Sequence, residues 1–174
     1  MIGRLKEDGY LSVNGRSITL TPSGRNQAES VVRKHRLAER LLTDVIGLEW
    51  HRSHMEATRW EHVISDEVEA RLIAILGNPA TCPHGNPIPG SGAPEIPLAR
   101  LSDSNVGQTV RLERVTEQVE FDYESLAYLG EQHFVPGVEA LVTDKAGDGT
   151  ITLDVEGRKF AISADLSRLL FVAA

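Results

Sequence analysis

The hydrophobic period changes once along this chain, and a proline-rich segment marks the change. Six of the eight prolines (Pro79, Pro83, Pro87, Pro89, Pro94 and Pro97) fall within residues 77–97, together with several glycines. Before this segment apolar residues recur at helical spacing, and after it they alternate as in strands. Proline ends helices and cannot donate within a central strand, so residues 77–97 read as a loop and linker at a domain boundary. A chain organised this way is α+β, with a helical part followed by a small β domain.

Upstream, residues 1–8 resemble the last turns of a helix stopped by Gly9. Asn14-Gly15 between alternating residues is a hairpin signal. Thr21-Pro22-Ser23 supplies a cap and an early proline for a helix over residues 22–46. Val31, Leu37, Leu41, Leu42 and Val45 form its apolar face, and Gly47 breaks it. Two more helices are expected at 53–62 and 65–76, the last opening on Ser65-Asp66-Glu67, acids that suit a helix start. Downstream, strands are expected at 108–115, 138–142, 149–155 and 159–162, with a short helix at 123–131. Short strands separated by glycine turns suggest a small antiparallel barrel.

Composition narrows the function. One cysteine, Cys82, excludes an intrachain disulfide framework and fits a reducing compartment. No signal peptide and no long apolar run are present, so a cytoplasmic protein with no membrane contact is expected. The net charge of −7 is uneven: residues 1–40 carry +4 and leave −11 for the rest. Only the amino-terminal end therefore suits a polyanion, although an ordinary solvated surface explains the same charges. There is no glycine-rich phosphate loop and no plausible nucleophile–base pair, so an enzyme is not expected.

What remains is His35, Glu39, His54, Glu61 and His62, all within the helical part. His35 and Glu39 lie four apart on one helix, so they share a face. His54 and Glu61, seven apart on the next helix, return to nearly the same direction. Two antiparallel helices could thus offer one cluster from His35, Glu39 and His54 and another from Glu61 and His62. Imidazole and carboxylate suit a divalent transition metal. The plainer alternative is surface ion pairing, with His35/Glu39 an ordinary i, i+4 pair. Cys82 and His84, in Cys82-Pro83-His84-Gly85, could join a metal site or simply belong to a rigid loop packed on the helices.

The segments Arg33-Lys34-His35-Arg36-Leu37-Ala38-Glu39-Arg40-Leu41-Leu42, Trp60-Glu61-His62-Val63-Ile64-Ser65-Asp66-Glu67 and Gly85-Asn86-Pro87-Ile88-Pro89-Gly90 carry a resemblance. The chain resembles the diphtheria toxin repressor family of metal-dependent transcription regulators, its iron-dependent branch in particular. The resemblance implies a partial winged helix–turn–helix (1–25), a helical metal-binding and dimerisation domain (26–90), a linker (91–105) and an SH3-like, FeoA-like domain (106–174). It implies a homodimeric repressor of iron or manganese homeostasis genes that grips operator DNA, with Fe²⁺ as co-repressor and Mn²⁺ as the alternative. The dimer would form around residues 41–60. His35, Glu39, His54, Glu117 and Glu120 match the family's ancillary metal site; Thr58, Glu61 and His62 match the primary one.

At Thr58 the iron branch has cysteine and the manganese branch an acid; at Glu120 the iron branch has glutamine. Met1 matches the interior of the recognition helix, so a start called too late, or a truncated gene, is expected. DNA contacts would fall to Arg4, Lys6, Asn14 and Arg16. Two other readings stay open: a dimerising metal-binding module that does not bind DNA, and a metal-dependent hydrolase, for which no general base can be identified.

Overall fold

The computed structural model describes residues 1–173. The chain opens on a one-and-a-half-turn helix, α1 (Ile2–Glu7), and a two-stranded hairpin, β1 (Leu11–Asn14) and β2 (Ser17–Leu20). Asn14 pairs with Ser17 and Leu11 with Leu20, the register that a two-residue Asn-Gly-type turn dictates. No residue of α1 is buried and all of β2 is exposed.

Thr21 starts α2 (Pro22–Arg40): its hydroxyl accepts from the Gly24 N–H at 3.0 Å and donates to the Gly9 carbonyl. The long helix does not run unbroken to residue 46. After Arg40 the backbone widens into a π-helical stretch, Leu41–Ile46, before Gly47 closes it in the left-handed region. Thr43 offers a physical reason, because its hydroxyl donates to the Glu39 carbonyl at 2.9 Å and competes for that acceptor. A 3-10 turn, Trp50–Arg52, leads into α3 (Ser53–Trp60), and Ser65 caps α4 (Asp66–Ile75).

Helices α2 and α3 meet through small residues. Ala38 and Ala57 are both fully buried beside Leu42, which lets the two backbones approach closely. Leu37, Leu72 and Ile88 join α2, α4 and the proline loop in a second small cluster.

The carboxy-terminal half is a six-stranded antiparallel sheet of β3 (Ala99–Arg100), β4 (Thr109–Val115), β5 (Glu139–Lys145), β6 (Ile151–Val155), β7 (Arg158–Ile162) and β8 (Leu170–Ala173). Their order is β3-β8-β4-β5-β6-β7, which fits an SH3-like domain. Bulges at Leu112/Arg114 and Val142/Asp144 bend it around the main apolar core, which includes Leu112, Leu126, Phe134, Leu153 and Ile162. Three short helices complete this half: α5 (Glu117–Glu120), α6 (Tyr123–Glu131) and α7 (Ala164–Ser167). No helix among the described residues is long and apolar enough to cross a membrane.

The proline-rich loop positions the site. It closes on itself through Cys82 N–H to Asn86 carbonyl (2.9 Å) and Gly85 N–H to Cys82 carbonyl (3.0 Å). It then docks on the end of β4: the Val115 N–H donates to the His84 carbonyl, and the Asn86 amide donates to the Val115 carbonyl, both at 3.1 Å. Gly85 makes this approach possible. Its φ is +85°, and a Cβ there would lie 1.8 Å from the Glu113 carbonyl oxygen.

Candidate metal centre

Glu39 is the centre of a buried cluster drawn from four parts of the chain. Its Oε1 lies 3.1 Å from His35 Nε2, 3.0 Å from His54 Nδ1 and 3.2 Å from His84 Nδ1. One helical turn of α2 sets His35 over Glu39, α3 brings His54 across the Ala38–Ala57 contact, and the docked loop brings His84. Glu120, on α5, reaches in from the β domain: its carboxylate is 3.5 Å from His84 Nδ1, 3.6 Å from His54 Nδ1 and 4.0 Å from Cys82 Sγ. The donor atoms form two groups that share Glu39, one of Glu39, Cys82, His84 and Glu120 and one of His35, Glu39 and His54. Within each group the donor atoms lie within 4.8 Å of one another.

The electrostatics are those of a site built around more than protein contacts. Burial pushes the Glu39 carboxyl up, but hydrogen bonds to His35, His54 and His84 hold it well below the usual carboxylate range. Burial and the Glu39 charge push the Glu120 carboxyl up. Burial, reinforced by both carboxylates, pushes the Cys82 thiol well up. Glu39 Oε2 and His54 Nε2, on two residues of the cluster, are buried with no hydrogen-bond partner. Orphaned buried polar atoms are costly and rare in folded proteins. Imidazole, carboxylate and thiol together fit a divalent transition metal ion.

The other residues expected from the sequence lie at the edge or outside. Glu61 Oε2 is 2.7 Å from His35 Nδ1, so Glu61 faces the same cluster through the far side of that ring. His62 is 71% exposed, 3.2 Å from Glu61 Oε1. The Thr58 hydroxyl donates to the His54 carbonyl at 3.0 Å. Glu117 is 67% exposed and takes Arg36 as its partner at 3.0 Å. Arg4, Lys6, Asn14 and Arg16 are exposed on α1 and the hairpin.

Sequence reasoning left Cys82 and His84 between two roles, a rigid loop or a ligand pair. The loop is packed, and both side chains point into the cluster. The i, i+2 spacing of a cysteine and a histidine across a tight Pro-x-Gly turn was the available signal. Arg40 fixes that turn from α2, donating to the Thr81 and Cys82 carbonyls at 2.7 and 3.2 Å.

Residues 21–90 match the family model described as "Iron dependent repressor, metal binding and dimerisation domain", and residues 99–174 match the FeoA domain. The match over residues 21–90 points to the class of metal-dependent transcriptional regulators. The iron-dependent repressor IdeR of Mycobacterium tuberculosis is 42% identical over 170 residues, covering 91% of this chain and 74% of that protein. The diphtheria toxin repressor of Corynebacterium diphtheriae is 38% identical over 179 residues, covering 97% of this chain and 78% of that protein. A solved manganese-dependent transcriptional repressor in complex with manganese superimposes with a TM-score of 0.83 at 30% identity, covering 99% of this chain and 81% of the other. The chain belongs to the iron-dependent repressor family, whose members are transcriptional repressors and not enzymes.

Proposed function

We propose that this chain represses iron or manganese homeostasis genes with a divalent metal ion as co-repressor, Fe²⁺ first and Mn²⁺ as the alternative. One observation carries the reading: donors from α2, α3, the proline loop and α5 converge in two buried groups, each with its ligand atoms within 4.8 Å of one another. Glu39, Cys82, His84 and Glu120 would hold one ion, and His35, Glu39 and His54 would hold or share a second. Glu61, His62 and Thr58 form the outer part of the site, and Glu117 joins it only by leaving Arg36. When bound, the ion supplies positive charge that satisfies two buried carboxylates.

The residues of the chain explain the switch. Glu120 reaches the cluster only while the β domain is docked, and His54 only while α3 is packed on α2. Binding energy gathered from all of them therefore favours the arrangement in which these pieces are held together. We assign residues 1–25 to a winged-helix region and 26–90 to the metal-binding and dimerisation domain. Residues 91–105 are the linker and 106–174 the SH3-like domain. Two copies would pair through the cleft lined by Leu42, Ile46, Leu48, Met55 and Trp60, where Ile46 is 57% exposed and Met55 49% exposed. Arg4, Lys6, Asn14 and Arg16 would meet the DNA backbone of an operator.

The test is binding to promoter DNA titrated with Fe²⁺ under anaerobic conditions and with Mn²⁺. Metal-dependent retention that is lost in Glu39→Gln supports the reading; retention indifferent to metal refutes the switch. A second reading, a dimerising metal-binding module without DNA binding, is favoured by one observation: α1 buries no residue. A metal-bound dimer that retains no promoter DNA selects it.

A further inference from the structure

Trp50 holds the loop of the metal centre by three separate contacts and packs on the β domain by a fourth. It opens the 3-10 turn ahead of α3, and its indole N–H donates to the Pro83 carbonyl at 2.9 Å. Its ring lies against the His84 imidazole, centroids 4.8 Å apart. Its own carbonyl is 3.3 Å from His84 Nε2. The far side of the indole packs on the main apolar core of the β domain, beside Gly130 on α6.

The contact with the carbonyl has a chemical consequence. A carbonyl oxygen only accepts, so His84 Nε2 must carry the proton. With Nε2 committed to that carbonyl, Nδ1 is the ring nitrogen left to face Glu39 and Glu120, at 3.2 and 3.5 Å. Partners that fix the tautomer and tilt of a metal-binding histidine govern its strength as a ligand.

We propose that Trp50 is a positioning residue of the metal centre: it holds the His84 ring so that Nδ1 is the donor, and, through its seat on the β-domain core, makes that donor available only when the domain is docked. This rests on the reading that Glu39, Cys82, His84 and Glu120 hold a divalent ion, so the test separates the two.

Co²⁺ is titrated into the full chain, following its absorption, for the wild type, His84→Ala, Trp50→Phe and the double variant. Trp50→Phe keeps a ring but removes the N–H that holds Pro83. It should weaken Co²⁺ binding by about tenfold, and should add nothing in the His84→Ala background. Binding by Trp50→Phe equal to wild type, or an equal further loss in the His84→Ala background, overturns the positioning role and leaves the site standing. Binding by His84→Ala equal to wild type overturns the site itself. A second measurement needs no variant: long-range ¹⁵N–¹H NMR of the histidine-labelled chain loaded with diamagnetic Zn²⁺, with His84 assigned by its contact to the Trp50 ring. A proton on Nε2 and metal on Nδ1 are expected, and any other state of the His84 ring overturns the proposal even if Trp50→Phe does not fold.

Discussion

Gly85→Ala should unseat the loop that carries Cys82 and His84, and its effect can be divided into parts. The residue sits at φ +85°, where an L side chain costs about 1–2 kcal/mol. The added Cβ would also lie 1.8 Å from the Glu113 oxygen, 2.8 Å from the Glu113 carbonyl carbon and 2.9 Å from the Arg114 Cα. These are backbone atoms of a paired strand, so they cannot swing aside. Restoring an ordinary contact of about 3.5 Å requires the loop to withdraw by more than an ångström. That withdrawal breaks the Val115–His84 and Asn86–Val115 hydrogen bonds, each worth about 1 kcal/mol net.

The total loss is then about 3–4 kcal/mol. Gly157→Ala isolates the torsional part, since Gly157 has φ +87° and open space where its Cβ would be; about 1–2 kcal/mol is expected there. Equilibrium urea unfolding of the metal-free chain measures both. The Cys82 thiol, fully buried in the wild type, should become reactive to a chromogenic disulfide in Gly85→Ala and stay protected in Gly157→Ala. Equal destabilisation by the two substitutions, with Cys82 protected in both, would refute the docking argument.

Three further outcomes are expected. Ala57→Leu must force α3 away from α2 and should lower stability by about 1–3 kcal/mol; an unchanged thermal midpoint would show that the two helices are not in close contact. Burial lowers the His35 pKa, but Glu39 and Glu61 outweigh it, and the net shift is above its ordinary 6.5. The stability this contributes is complete below 6.5 and lost as pH rises through the higher folded value. Urea midpoints of the metal-free chain should therefore fall from about pH 6 to about pH 8, and Glu61→Gln should flatten the fall; an equally steep fall in Glu61→Gln counts against it. Ile46→Glu places a charge in the exposed cleft and should shift sedimentation from dimer toward monomer with the helical CD signal kept; a dimer as tight as wild type places the interface elsewhere.

Local signals in the sequence carried much of the fold. Asn14-Gly15 set the hairpin, Thr21-Pro22 and Ser65 set two helix starts, and alternation located β4 to β7, with β5 running three residues past its expected end. The helix at residues 123–131 coincides with α6. The short strands β3 and β8 escaped notice, since two and four residues give too little pattern for a period. Helical spacing likewise put His35, Glu39 and His54 on facing sides of two helices. It could not reach Cys82 and His84, because their position depends on one glycine fitting against β4, thirty residues away in the chain. Glu120 was visible through a family likeness alone, for nothing near it in sequence says that α5 faces the helices.

Glu39 receives His35, His54 and His84 on a single oxygen and belongs to both donor groups. Ions held by the two groups would therefore share one carboxylate. Occupying either changes the charge and lone pairs left to the other, so metal uptake should follow one coupled curve rather than the sum of two independent isotherms. The dose at which such a sensor responds is then a property of a shared anchor. Changing His35 or His84 should retune one station, whereas changing Glu39 should silence both.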